Sequence, residues 1–210
     1  MAGQDWARIS AMKKESVEMV VAPQPTSLGV GLKEWAIICT ALEQGQQAVL
    51  LRKGGIYDAA GEFELEHREF LLLPTYLHQK AESVKPSWRS RMSILSSEPE
   101  QILVKSWARV RHIFRVPHRA ALEALDELYL WDKPLLDMRF GYRPNSPLYL
   151  LLLETFLLAT PTTIVHHPAY AGCKSWVPLH AEMDIRGSVP VMQPAKIQQL
   201  SERIQKAFAA

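Results

Sequence analysis

The sequence predicts an α+β fold in which a mixed sheet carries flanking helices, and three observations lead there. Apolar runs of strand character are interleaved with runs of helical period, the joins are punctuated by glycine and proline, and the chain is apolar enough to bury a core. Of its 210 residues, 48% are hydrophobic and 22% are charged. At this length one domain is favoured and two small ones remain compatible.

Taken in order, residues 1–27 are polar and irregular and read as a variable leader before a domain over 28–190. From Lys33, the segment KEWAIICTALEQG sets Trp35, Ile38, Cys39 and Leu42 at spacings of three and four, with Gly45 as the stop, which describes an amphipathic helix. QQAVLLRKGG is a short apolar run ended by paired glycines, a buried strand meeting a tight turn. EFELEHREFLLLP alternates Glu62, Glu64 and Glu66 with Phe63 and Leu65 before an apolar run ending at Pro74, so it supplies one or two strands. Residues 75–97 are mixed around Trp88 and read as a helix or an ordered loop.

From Gln101 the period is two. One face would carry Ile102, Val104, Ala108, Val110 and Phe114, and the other Lys105, Trp107, Arg109, Arg111 and Arg115, as in a long strand or hairpin arm. HRAALEALDELYL places Ala121, Leu122, Leu125 and Leu128 at helical spacing, whereas PLYLLLLETFLL after Asn145-Ser146-Pro147 reads as a buried central strand or a helix. Residues 191–210 close with an amphipathic helix, Pro194 near its start and Ile197, Leu200, Ile204 and Phe208 in one stripe that must dock on its own domain or on a partner. The N-terminal part thus runs helix, strand, strand, strand, helix, strand. Trp35, Ile38, Leu50, Leu72, Val104, Val110 and Leu152 are expected to be buried together.

Composition bounds the function. The 24 basic and 22 acidic side chains leave a net charge of +2, so any case for nucleic acid rests on local clustering. Cys39 and Cys173 are far apart and no C-x-x-C occurs, and His166-His167 are adjacent rather than spaced on one helix face, so no metal site is expected and no cofactor is implied. The N-terminus lacks a basic-then-apolar signal, and the longest apolar run, Leu148 to Leu153, is followed at once by Glu154. Export and membrane spanning are not expected; cytoplasm, with reduced thiols, is.

Four groups carry candidate chemistry. Arg52-Lys53-Gly54-Gly55 offers two cations and two accessible amides to a phosphate, or is a solvated hairpin turn; the lysine precedes the glycines, so it is not a Walker motif. Glu62, Glu64 and Glu66 would share a strand face, and with Asp58 and Glu66-His67-Arg68 they weakly parallel the PD-(D/E)xK nucleases, with Arg68 where those enzymes need a lysine. His78, after an apolar strand, is placed for a general base or for bonding its own turn. Between residues 101 and 122, Lys105, Arg109, Arg111, Arg115 and Arg119 occur without an acid. A strand face of Lys105, Trp107, Arg109 and Arg111 suits phosphates and a stacked base, unless those arginines pair with the acidic stretch at 62–69.

The segments LKEWAIICTALEQGQQAVLLRKGGIYD, EFLLLPTYLHQ, KSWARV and YAGCKSWVPL resemble an uncharacterised bacterial family, domain of unknown function 1802, over roughly residues 29–180. LLRKGGI followed by PT-x-x-HQ is the most specific part. The resemblance implies no activity. It implies that Arg52, Lys53, Gly54, Gly55, Thr75, His78 and Gln79 occupy motif positions, with Tyr170, Gly172, Cys173, Ser175 and Trp176 as a second motif. The basic strand face at Lys105, Trp107, Arg109 and Arg111 makes a nucleic-acid-associated binding protein the expected function. The alternatives are an active or degenerate metal-dependent nuclease, with Glu66, Arg68 and His78 as catalytic candidates, and a non-enzymatic protein docking a partner through its terminal helix.

Overall fold

The computed structural model describes residues 24–53, 65–172 and 174–209. Most of the expected leader, Gly54, Gly55, Asp58, Glu62, Glu64 and Cys173 lie outside them.

The chain opens with β1 (Ser27–Trp35), which continues directly into α1 (Ala36–Glu43) and then β2 (Val49–Arg52). The helix expected from Lys33 thus begins three residues late, because Lys33, Glu34 and Trp35 are drawn into pairing with a parallel neighbour, β3 (Glu69–Thr75). Gly45 ends α1 in the left-handed region that glycine tolerates. After α2 (Pro86–Arg89) come β4 (Gln101–Arg115), α3 (Arg119–Glu123), α4 (Lys133–Gly141) and β5 (Tyr149–Val165). β6 (Trp176–Asp184), β7 (Val189–Pro190) and α5 (Pro194–Ala209) complete the described elements. PLYLLLLETFLL is therefore strand, and residues 75–97 hold a 3-10 turn at Ala81–Ser83, the short α2 and loop.

The fold is α+β with a mixed sheet. The strands run in the order β2-β5-β4-β3-β1-β6, and only the β1–β3 pair among them is parallel. β7 pairs with the middle of β5, and it follows β6 after a short turn. The path therefore curls back on itself, and the sheet gains an inside and an outside.

Side-chain alternation sorts the core between these faces. On β3, Phe70 and Leu72 join the larger, helix-covered cluster, while Leu71 and Leu73 join the cluster inside the curl. Leu150 to Leu153 on β5 are buried without alternation, as in a strand covered on both faces. Ile38, Leu50, Leu72, Val110 and Leu152 lie together under the helices, but Val104 belongs to the inner cluster and Trp35 is only partly buried against the outer one. Ile197, Leu200 and Ile204 of α5 are buried in the outer cluster. The terminal stripe thus docks on its own chain, the first of the two dockings expected for it, and nothing among the described residues supports the alternative of a partner there. No helix among the described residues is long and apolar enough to cross a membrane.

Strict alternation along β4 is where the sequence expectation fails. Its register on β5 slips between Val104 and Ser106 and again between Val110 and His112. At the first slip the extra residues belong to β5, whose residues 158–161 stand opposite Lys105 alone; across this bulge in the ladder Lys105 and Ser106 both face α1, and Trp107 turns inward with Ile102 and Val104. Trp107 is fully buried and stacks on Phe156 with ring centroids 4.2 Å apart. It offers no face to a base.

Candidate functional site

The expected basic face is dispersed. Arg109 is buried and its Nε donates to Glu69, its cross-strand neighbour, at 2.6 Å. Arg111 lies 3.6 Å from Glu154, and Arg119 pairs with Glu123 and Asp137. Glu69 belongs to the acidic stretch, so the pairing alternative holds for Arg109. Lys105 and Arg115 are exposed.

Arg52 and Lys53 are likewise committed. Arg52 donates to Glu34 at 3.0 Å, with both side chains mostly buried. Lys53 is 8% exposed, and its ammonium donates to the carbonyls of Arg139 and Phe140 near the C-terminal end of α4. Burial lowers its pKa. These two cations fasten β2 to β1 and α4; neither points outward at a free phosphate.

Glu66 and Arg68 are exposed on the approach to β3, Glu66 being within 3.6 Å of His67. Among the described residues no group of three metal-ligating side chains forms, and nothing described favours the nuclease alternative. His78 is exposed at a turn with φ of 62°, an uncommon conformation for a residue with a Cβ.

The neighbouring motif residues have clear tasks. Thr75 donates its hydroxyl to the Glu34 carbonyl. Gln79 accepts from the Ile37 N–H in the first turn of α1 and donates to the Ser93 and Tyr76 carbonyls. In the second motif, the Lys33 ammonium holds the Tyr170 and Gly172 carbonyls while the Ser175 carbonyl accepts from the Lys33 N–H.

Beside the Thr75 and Gln79 bonds lies a cleft of about 160 Å³ between α1, the end of β3, the Arg91–Ser93 segment and the β4 bulge. Its walls include Thr40, Glu43, Tyr76, Arg91, Leu103 and Lys105. Arg91 is held over the Trp88 ring at 4.4 Å. Glu98 accepts from the Tyr76 and Leu77 N–H groups and fixes the turn that presents Tyr76. Inside, the Ser106 hydroxyl donates to Glu43 at 2.9 Å, and burial raises the Glu43 pKa against the lowering effects of Ser106 and Lys105. The Cys39 thiol at the base of the cleft is pushed well up by burial.

Of the sequence-predicted residues only Lys105 lines this cleft. Glu43, Tyr76 and Arg91 escaped notice, since each comes from a different element. The one local hint was Tyr76, two residues beyond Pro74 at the strand end.

The fold and the site define a curled α+β sheet with a small cleft lined by cations and a tyrosine beside its first helix. The chain belongs to the family described as Domain of unknown function (DUF1802), whose match spans residues 31–203. No curated protein matches it. Among solved structures, the ASCH protein of Zymomonas mobilis is similar at 10% identity, covering 82% of this chain and 93% of that one, with a TM-score of 0.39. A serine-to-alanine variant of it gives 11% identity, coverage of 85% and 98%, and a TM-score of 0.38. A tyrosine-to-phenylalanine variant gives 11%, 82% and 96%, and 0.37. The likeness is loose in both geometry and sequence.

Proposed function

We propose that this chain is a nucleic-acid-associated binding protein that holds a single strand at the cleft between α1 and the β4 bulge. The observation that carries the reading is the convergence of Lys105, Arg91 and Tyr76 on one cavity. Two cations can neutralise phosphates while an aromatic ring receives a base. The cavity, about 160 Å³, is smaller than the roughly 300–1,000 Å³ of drug-sized sites, so it takes one nucleotide unit rather than a folded polymer. Arg109 and Trp107 support the reading from behind, as the packed scaffold of the strand that presents Lys105. Cytoplasmic residence belongs to the same reading, supported by Cys39 standing as a free buried thiol.

Fluorescence anisotropy of a labelled single-stranded oligonucleotide against salt tests it. Two phosphate contacts at about 0.7 counterions each give a log-log slope near −1.4. Lys105→Ala should bring the slope to about −0.7, one contact fewer. Failure to bind at low salt, or a slope unmoved by Lys105→Ala and Arg91→Ala together, refutes the reading.

A further inference from the structure

Stacking on a tyrosine is tolerant of base identity, because every base has a π-face. Any selectivity at the cleft must therefore come from a group that meets the edge of the stacked ring. Glu43, in the last turn of α1, is the acidic side chain lining that cavity. One carboxylate oxygen, Oε1, accepts from the hydroxyl of fully buried Ser106, which fixes the side chain. Oε2 accepts no hydrogen bond from the described residues, and Lys105 lies beyond ion-pair distance. The result is an oriented acceptor on the wall of a site whose other lining includes the cations Arg91 and Lys105, the hydroxyls of Thr40, Tyr76 and Ser93, and apolar side chains such as Ile37 and Leu103.

We infer that Glu43 makes this cleft selective for bases that carry an exocyclic amino group. The inference rests on the single-strand reading above and assigns its ligand class. Cytosine, adenine and guanine each present an amino group that donates to a carboxylate oxygen. Uracil and thymine present one imino N–H flanked by two carbonyl oxygens, and both oxygens repel a carboxylate. Ser106 can sit opposite Glu43 only because the bulge turns it, together with Lys105, toward α1. The same backbone irregularity thus supplies the phosphate cation and orients the base-reading acceptor.

The test is binding of the whole chain to labelled oligo(C), oligo(A) and oligo(U) of equal length, with Glu43→Gln beside the natural protein. Gln keeps the length and an acceptor for the Ser106 hydroxyl, but its amide adds a donor that uracil carbonyls accept. The natural chain should bind oligo(C) and oligo(A) about five- to tenfold more tightly than oligo(U), the order of one partly solvated hydrogen bond to a charged group. In Glu43→Gln that ratio should fall toward one while the salt slope stays unchanged. Equal affinities for the three strands, or a ratio unmoved by Glu43→Gln, overturns the inference and leaves single-strand binding standing. No binding to any strand at low salt overturns both.

Discussion

Gln79→Ala is the perturbation from which most should follow for its size. The side chain is 4% exposed and ties three backbone points together: its Oε1 accepts from the Ile37 N–H at 3.2 Å, and its Nε2 donates to the Ser93 carbonyl at 2.8 Å and, less closely, to the Tyr76 carbonyl at 3.4 Å. Ile37 lies in the first turn of α1, where Trp35 offers no capping side chain, so Gln79 caps that helix from a distance. Truncation strands the Ile37 N–H and the Ser93 carbonyl, at about 1–3 kcal/mol for each buried group left unsatisfied. The long Tyr76 bond adds little, and water entering the hole returns part of the loss. The net cost should be about 2–4 kcal/mol, read as a lower urea midpoint with an unchanged m-value. In a chain of this size it corresponds to roughly 4–16 °C in Tm. Oligonucleotide affinity should fall as well, since Ile37, Tyr76 and Ser93 all line the cleft. A stability loss below about 0.5 kcal/mol, the range of an ordinary surface substitution, would refute this account of Gln79.

A Cβ on Gly31 would overlap the side chain of Leu73 on the neighbouring strand, so Gly31→Ala should cost about 1–3 kcal/mol in chemical denaturation. Adding Leu73→Ala should be less destabilising than the two single changes summed, because one clash links them. Burial raises the Glu43 carboxyl above the ordinary glutamate value of 4.5, so between that value and the raised one the folded chain binds a proton that the unfolded chain does not. The contribution of Glu43 to stability is therefore full below pH 4.5 and lost as pH rises through the folded pKa; urea midpoints in a pH series should show that step flattened in Glu43→Gln.

How much of this was legible in the sequence differs element by element. Three strands, the first helix and the last announced themselves by period or by an apolar run, because their burial comes from a single face or from none being exposed, whereas the apolar run of β5 left strand and helix open. β1 did not: its short alternation of Leu28, Val30 and Leu32 is set against Gly29 and Gly31, which disfavour a strand, and what makes it one is pairing with β3 and with distant β6. The β4 face was misread for a related reason. Parity set Trp107 beside Lys105, but register is agreed between two strands, and the slip after Val104 coincides with β5 residues Leu158–Pro161 left outside the pairing. Pro161, unable to donate to a ladder, was the available cue. The cleft was the least legible part. Glu43, Tyr76, Arg91 and Lys105 are brought together by tertiary structure alone, although the motif residues Thr75 and Gln79 sit in the bonds that shape it.

The return of β6 and β7 to close the curl has a consequence for how the chain is made. β1 finds its β3 neighbour early, but its other edge must wait until residues 176–184 exist. At synthesis rates of about 5–20 residues per second that interval is on the order of ten seconds. During it the nascent chain holds Leu71, Leu73, Val104 and Trp107 under a lining with one side missing. Contacts so distant in sequence also slow folding from the denatured state, because loop closure must be met before they form. The segment that closes the inner lining is thus also the one that ends the exposure of these side chains to aggregation.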